Sequence, residues 1–582
     1  MAETVAEVIV RTLYSLGVRR FYGIPPGDSL NPLMDALRRN REMQFVQVRH
    51  EEGAAIEASF EAKYTGRPAV CIGTSGGPGS IHLLNGLYDA KMDHAPVIAF
   101  TGQIETDLLG TDYFQEVRTV KLFDDVSVFN TEIVDPENVQ KIVVRAYREA
   151  LYHRGGVSHI SLPVNVLREQ AREEKVYMSP YLPEVHYSAD FSAAVEMIDR
   201  SEKPVIFIGR GASGQTQAIM DLSERIGAPV IYAVNGKGIV DDSDPRVMGS
   251  LGLLGTRPSV EAMKRCDLMI LLGTSFPYVS FYPDGVDSIQ VDTDPSNIGK
   301  RVVPKVSYVA SVEDFLGIRN KVREKKDKFY RELQDSKRDW ISYLEKMEGD
   351  GSKPIRPERL AATVNRYAPR DAVVVVDTGN VTVWSVRNMR TPPGRTFFFS
   401  AWLGGSMGVG IPGSIGISFA TDRPIVAMIG DGSFAMTMME LITAKKYERP
   451  VKLVVFNNSK LGMIKFEEQV MGGYPEFGVD LYNPDFSQVA RAVGIESRRV
   501  EEPGDLDGGR EGHVRIQGGP VRARCHCRSG REAYAAKADI RPGEGLHNIH
   551  TPREAGARVT LSIRTLLLMI QACFHPCPST IR

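Results

Sequence analysis

The residues best equipped for chemistry lie between Gly430 and Lys460. Gly430-Asp431-Gly432-Ser433 stands at one end and Asn457-Asn458-Ser459-Lys460 at the other, with residues 434–456 between them. Asp431 offers a carboxylate, Asn458 a side-chain amide oxygen and Lys460 a backbone carbonyl. These are three hard oxygen donors, fewer than the octahedral shell of Mg²⁺ needs, so phosphate oxygens and water would complete it. Gly430 and Gly432 allow a sharp turn and a close backbone approach to a ligand. Free N–H groups at the start of the helical run from Ser433 would hold an anion. The flanking elements must bring the two ends together. Pro424–Ile429 is a continuous apolar run suited to a buried parallel strand, and Val451–Phe456 is a second strand that returns Asn458 toward Asp431. The stretch reads as a diphosphate and divalent-metal site.

Alone, a Gly-Asp-Gly triplet is often a plain turn. Joined to Asn457-Asn458 through strand, helix and strand, it is similar to the thiamine diphosphate signature. Over roughly residues 1–507 the chain resembles the pyruvate oxidase and acetolactate synthase group of thiamine diphosphate enzymes. The resemblance implies roles. Glu51, in Val48-Arg49-His50-Glu51-Glu52, matches the glutamate that donates to the cofactor's pyrimidine ring, a task that calls for a carboxyl raised by apolar surroundings. Met407, in Ser406–Gly413, matches the apolar wedge that bends the cofactor. Asp377-Thr378-Gly379-Asn380 would line the diphosphate from the other side, and Met463 belongs to the shared Leu461-Gly462-Met463 segment. His82, Phe114 and Gln115 sit in segments similar to the family's active-site lining. The turn Ser75-Gly76-Gly77-Pro78-Gly79 departs from the family by one extra glycine, which bears on where His82 lies.

Gly209-Arg210-Gly211-Ala212-Ser213-Gly214 satisfies the dinucleotide pattern G-x-G-x-x-G. A nicotinamide site would want an acid about 20 residues on, at the end of the next strand. That strand ends in Asn235-Gly236-Lys237, so the nicotinamide reading is rejected. Leu271–Tyr278, Phe281-Tyr282-Pro283 and Gln290–Pro295 resemble the FAD-binding segments of pyruvate oxidase and pyruvate:quinone dehydrogenase. Gly211, Ala212, Gly273, Thr274, Ser275 and Asp292 are the expected FAD contacts, Asp292 as an acceptor for a ribose hydroxyl. Two departures from the synthases favour an oxidase. Ser275-Phe276-Pro277-Tyr278-Val279 replaces their Arg-Phe-Asp-Asp-Arg, and Glu467 stands where they place a tryptophan. The implied reaction is oxidative decarboxylation of pyruvate or another 2-oxo acid to acetate or acetyl phosphate, with quinone, O₂ or phosphate as co-substrate. Two alternatives stay open: an acetolactate synthase-like carboligase, and an inactive member of the family.

The chain has 582 residues, with 71 basic against 72 acidic side chains. That balance favours neither nucleic acid nor an anionic membrane as partner. Alternating strand and helix patterns divide it into three doubly wound parallel α/β domains: 1–180 (pyrimidine side), 190–345 (central, FAD-binding-like, with a charged helical stretch at 320–340) and 355–507 (diphosphate and Mg²⁺ side), the first two joined by a polar connector at about 170–190. The N-terminus carries Glu3 and Glu7 and is not a signal peptide, and no apolar run is long enough to span a membrane. Only Cys71 and Cys266 precede residue 500, which fits a reducing cytoplasm, with peripheral membrane association left open. Family sites lie between subunits, so the resemblance implies a homodimer or homotetramer.

Residues 508–582 break the pattern, filling with Arg, Gly, His and Cys. Cys525-His526-Cys527 and Cys573-Phe574-His575-Pro576-Cys577 lack the usual zinc-ligand spacing. A frameshift explains the segment better. Codons exist that encode Gly519–Gly545 as written and, read one nucleotide later, a strand-like DVIVDP followed by a proline-rich PMPPK, as this family has there. On that reading the third domain lacks its last strand and has an exposed edge. Resequencing the gene from codon 500 is expected to reveal the shifted frame; an intact frame as written would overturn it.

Overall fold

The computed structural model describes residues 3–74, 76–152, 155–171, 187–392, 394–401, 405–507 and 522–525. Most of the central strands are short apolar runs buried on both faces, as parallel sheets covered by helices require, while outer strands such as Gln44–Gln47 and Glu496–Arg499 are more polar. The first sheet holds β1 (Arg20–Gly23), β2 (Gln44–Gln47), β3 (Ala69–Gly73), β4 (Val97–Gln103), β5 (Ser127–Glu132) and β6 (Val157–Pro163). The second holds β7 (Pro204–Ile208), β8 (Val230–Tyr232), β9 (Val247–Ser250), β10 (Leu268–Leu272), β11 (Asp287–Asp292) and β12 (Val306–Val309). The third holds β13 (Val373–Val376), β14 (Thr396–Phe399), β15 (Ile425–Gly430), β16 (Val451–Phe456), β17 (Glu496–Arg499) and β18 (Arg522–Cys525).

The strand orders are β2-β1-β3-β4-β6-β5, β12-β11-β10-β7-β8-β9 and β14-β13-β15-β16-β18-β17. The outer two sheets therefore share one topology, and the central sheet has the doubly wound dinucleotide-fold order. In such sheets ligands collect beyond the carboxyl ends of the strands where the winding reverses. In the third sheet that point lies between β13 and β15, which pair in register from Val373↔Ile425 to Val376↔Met428. Asp377 follows one of these strands and Asp431 the other. In the central sheet it lies between β7 and β10, so the Gly209–Gly214 turn faces the turn at Gly273.

The first and third domains pack through the helix Glu51–Thr65 on the helix Gly410–Ser418. Two glycines permit the approach. A Cβ on Gly413 would lie 2.8 Å from the Phe60 ring, and one on Gly416 would lie 2.1 Å from the Glu57 carbonyl oxygen. Across the same seam Glu440 Oε1 accepts the backbone N–H groups of Arg49 (3.0 Å) and His50 (3.1 Å). Gly53 must lack a side chain there, since its Cβ would stand 2.6 Å from Glu440 Oε1.

Three local expectations are corrected. The helical run from Ser433 divides into Asp431–Thr437 and Glu440–Lys446. The charged stretch at 320–340 is α-helical only from Gln334, in the helix Gln334–Glu348; before it lie the 3₁₀ turns Gly317–Asn320 and Phe329–Leu333 and non-helical chain between them. There Phe329, Tyr330 and Leu333 are buried, so packing rather than charge pattern sets the geometry. The third sheet is also not short of a strand: β18 lies parallel between β16 and β17. Two strands with a gap between them present backbone donors and acceptors on both sides, which an extended segment of almost any sequence can satisfy. Residues 508–521 and 526–582, with His526, Cys527, Cys573 and Cys577, lie outside the described residues, as does most of the 170–190 connector. Among the described residues no helix is long and apolar enough to cross a membrane.

Candidate active site

A cavity of about 370 Å³ opens at the reversal point of the third sheet. Asn380, Met407, Gly430, Asp431, Gly432, Ser433, Asn458, Lys460, Met463 and Glu467 all line it, so ten residues expected from sequence to bind or act converge there.

Asp431 is 2% exposed at the end of β15. Burial drives its carboxyl up to about 6, against the pull of Asn483 and of the N–H groups of Ser459 and Gly432. Asn483 Nδ2 donates to Asp431 Oδ2 at 2.7 Å and to Asn457 Oδ1 at 3.1 Å, tying the two ends of the motif together. Asn458 Oδ1 accepts the Lys460 N–H at 3.1 Å, folding the Asn457–Lys460 turn so that donor atoms face the cavity. The Lys460 ammonium pairs with Glu476 and Asp480, which leaves its carbonyl as the candidate ligand.

Opposite, Asp377 is fully enclosed. Its Oδ1 accepts the N–H groups of Thr378 (2.8 Å) and Gly408 (3.0 Å), and its Oδ2 that of Gly410 (2.7 Å). Asp377 thus holds the backbone behind Met407. Burial raises its carboxyl to about 6, opposed by those donors.

The donor set suits a divalent cation carrying a diphosphate. Asn380 lines the cavity, and its Oδ1 is buried with no hydrogen-bond partner among the described residues. Gly462 is the glycine that makes room for it: a Cβ there would lie 2.2 Å from Asn380 Nδ2 and 3.2 Å from Asn458 Nδ2. A Cβ on Gly432 would press on Leu461, Leu481 and Met407 at 3.0–3.3 Å. Glu467 opens a one-turn π-helix, Glu467–Met471, a distortion common at functional sites.

Glu51, His82, Phe114 and Gln115 are gathered elsewhere in the chain and do not line this cavity. Glu51 is 5% exposed; Thr74 donates to its Oε1 at 2.7 Å and His82 Nδ1 lies 3.1 Å from its Oε2. The rings of His82 and His50 stack with centroids 4.4 Å apart. Burial pushes the Glu51 carboxyl up, but the Thr74 and His82 contacts outweigh it and hold the group below its ordinary value. The expected upward shift is therefore absent within a single chain, because the surroundings are polar. Gln115 takes a positive φ of 63° and its carbonyl packs on Gly76, beside the Thr74 that touches Glu51. Phe114 is 77% exposed. Ser75 lies outside the described residues. Asn85 connects the two groups: its Nδ2 donates to Glu52 Oε1 at 2.5 Å and to Ser406 Oγ at 2.8 Å, next to Met407.

The expected flavin residues converge at the reversal point of the central sheet. Cβ atoms on Gly209 and Gly211 would meet Gly273 O at 2.4 Å and Gly273 Cα at 2.8 Å, so these glycines serve backbone-to-backbone packing. Asp292 Oδ1 accepts the Asp294 N–H at 2.9 Å at the end of β11. Ser275 borders a small cleft with Asp93 and Asn235, and Tyr278, from the same segment, lines the larger cavity.

Asn483, Gly462 and Glu440 escape sequence reasoning. Each acts through an approach between segments far apart in the chain; only the position of Gly462 beside Leu461 and Met463 hints at its part.

Comparison with known proteins agrees with this geometry. Residues 3–122 match the description "Thiamine pyrophosphate enzyme, N-terminal TPP binding domain", 191–317 the central domain and 377–518 the C-terminal TPP binding domain. The chain belongs to the thiamine pyrophosphate enzyme family. It is 38% identical over 513 residues to YdaP of Bacillus subtilis, a protein named as thiamine pyrophosphate-containing, covering 87% of this chain and 88% of that one. It is 32% identical over 507 residues to the pyruvate oxidase of Lactiplantibacillus plantarum, 85% of this chain and 83% of that one. It is also 32% identical over 532 residues to an acetolactate synthase of Mycobacterium bovis, 86% of this chain and 84% of that one.

Asp431 must be ionised to bind a cation, and its carboxyl is raised to about 6. Mg²⁺ affinity, measured by calorimetry with thiamine diphosphate present, is expected to rise about tenfold per pH unit below pH 6 and to flatten above it. A flat profile from pH 5 to 7 would contradict this assignment.

Proposed function

We propose that the protein is a thiamine diphosphate- and FAD-dependent enzyme that oxidatively decarboxylates pyruvate or a close 2-oxo acid, yielding acetate or acetyl phosphate. When bound, thiamine diphosphate supplies the electron sink for decarboxylation and FAD accepts the two electrons. Asp431, Asn458 and the Lys460 carbonyl would hold Mg²⁺, Asn380 and the Gly430–Ser433 turn would hold the diphosphate, and Met407 would set the cofactor's bend. Glu467 would face the reacting end of the substrate.

The observation that carries the oxidase reading is the shape of the cavity. It runs from Asp431 past Glu467 to Tyr278, Leu253 and Leu254, residues of the central domain that belong to or adjoin the flavin-like segments. Electron transfer between two cofactors needs them close together, and a cavity lined from both domains supports that closeness. Equal identity to a pyruvate oxidase and an acetolactate synthase, 32% each, supports a carboligase as the second reading.

Around the buried Glu51, His50 and His82 are exposed. Ile81 and Phe114 are 49% and 77% exposed, and on the third domain Met436, Met439 and Phe477 are 62%, 54% and 86% exposed. These apolar surfaces support a homodimer or larger homo-oligomer in which Glu51 of one subunit completes the cavity of another.

Anaerobic mixing of the protein, loaded with thiamine diphosphate, Mg²⁺ and FAD, with pyruvate tests the reading. The flavin absorbance near 450 nm is expected to bleach in stoichiometric amount, and Glu467→Gln to slow bleaching about tenfold or more. A flavin that stays oxidised while acetolactate accumulates would establish the carboligase instead.

A further inference from the structure

The wall of the cavity on the central-domain side has a fastening that the ligand set does not explain. The helix Asn380–Asn388 begins with Asn380 in the diphosphate cradle and carries Arg387 in its last turn. Arg387 reaches across the domain boundary to three consecutive carbonyl oxygens. Its Nε donates to Leu254 O and Gly255 O, both at 3.1 Å, and its Nη2 to Leu253 O at 3.4 Å. The guanidinium also lies 5.8 Å from the ring centroid of Trp340, on the helix that leads from the central domain into the third. A cation at a helix C-terminus is favoured by the helix dipole.

The Leu253–Gly255 turn can exist only in a narrow form. Gly252 takes φ +109°, and a Cβ on it would lie 3.1 Å from the Phe276 ring; one on Gly255 would lie 2.3 Å from Ser250 O. Phe276 in turn packs edge-on against Tyr278, centroids 5.5 Å apart. The turn is thus held between Arg387 on one side and Phe276 with Tyr278 on the other. Leu253, Leu254, Tyr278, Trp384 and Arg387 all border the cavity. Clustered carbonyls turned one way repel each other and need donors. A planar guanidinium with several N–H groups in fixed directions can serve three of them, whereas a single ammonium cannot.

We propose that Arg387 is a positioning residue: it fixes the central-domain wall of the cavity, the Leu253–Gly255 turn and Tyr278, at a set distance from the helix that carries Asn380. The idea rests on the reading that this cavity is the thiamine diphosphate site. Arg387 needs no contact with cofactor or substrate; it acts through the turn it grips. Losing it should loosen the wall and impair turnover without weakening cofactor binding.

The test compares the full chain with Arg387→Met and Arg387→Lys by amide hydrogen exchange over 251–256, calorimetric titration with thiamine diphosphate and Mg²⁺, and steady-state kinetics on pyruvate. Arg387→Met is expected to speed exchange at 251–256 about tenfold and to lower kcat about tenfold, with KM and thiamine diphosphate affinity within about twofold. Arg387→Lys should recover only part of both effects. Unchanged exchange at 251–256, or a thiamine diphosphate affinity that falls in step with kcat, would overturn the proposal. If the unsubstituted protein binds no thiamine diphosphate, the proposed function fails, while the exchange comparison still decides whether Arg387 holds the turn.

Discussion

The constraint on which the site depends is the burial of the Asp431 carboxylate. Moving an ionised carboxylate out of water is strongly unfavourable unless charge or hydrogen bonds compensate it. At 2% exposure Asp431 bears that cost, and its carboxyl rises to about 6 in response. Asn483 and the backbone of the 457–460 turn offset part of it and also orient the donor atoms. A divalent cation would offset the rest. On the proposed reading the buried acid would be a source of metal affinity, and Asn380 and Gly462 would extend the same logic to the diphosphate.

Sheet topology puts these groups in reach of one another. Asp377 and Asp431 follow adjacent strands on either side of the winding reversal, the place where a parallel sheet leaves a crevice. One acid braces the backbone behind Met407 and the other lines the cavity. The shared strand order of the outer sheets gives the first domain an equivalent crevice, and Glu51 and Thr74 lie beside it. Seam contacts set the two domains against each other: Glu440 on the backbone of Arg49 and His50, and Gly413 and Gly416 under the helix that starts at Glu51.

The local part of this arrangement was legible in the sequence because it is written in continuous strand–turn–helix units. Gly430–Ser433 and Asn457–Lys460 could be placed from apolar runs and turn chemistry alone, and the three-domain plan followed from alternation. Tertiary facts were not legible. The Asn483 contact with Asp431 joins segments that no periodicity relates, and the downward shift of Glu51 depends on Thr74 and His82, which arrive from a different strand and helix. The strand at Arg522–Cys525 was missed for a different reason. The sequence Arg522–Cys525 has no strand pattern, and the place between β16 and β17 offers backbone partners on both sides that need none.

The central claim is that the Asp431 crevice binds thiamine diphosphate through a divalent cation. Calorimetric titration of the metal-stripped protein with thiamine diphosphate, with and without Mg²⁺, beside the Asp431→Asn variant, tests it most directly. Binding should require Mg²⁺, and the variant should weaken it by about a hundredfold, roughly 2.7 kcal/mol. Equal affinity in the presence of a chelator, or an Asp431→Asn variant that binds as tightly as the parent, would contradict the account.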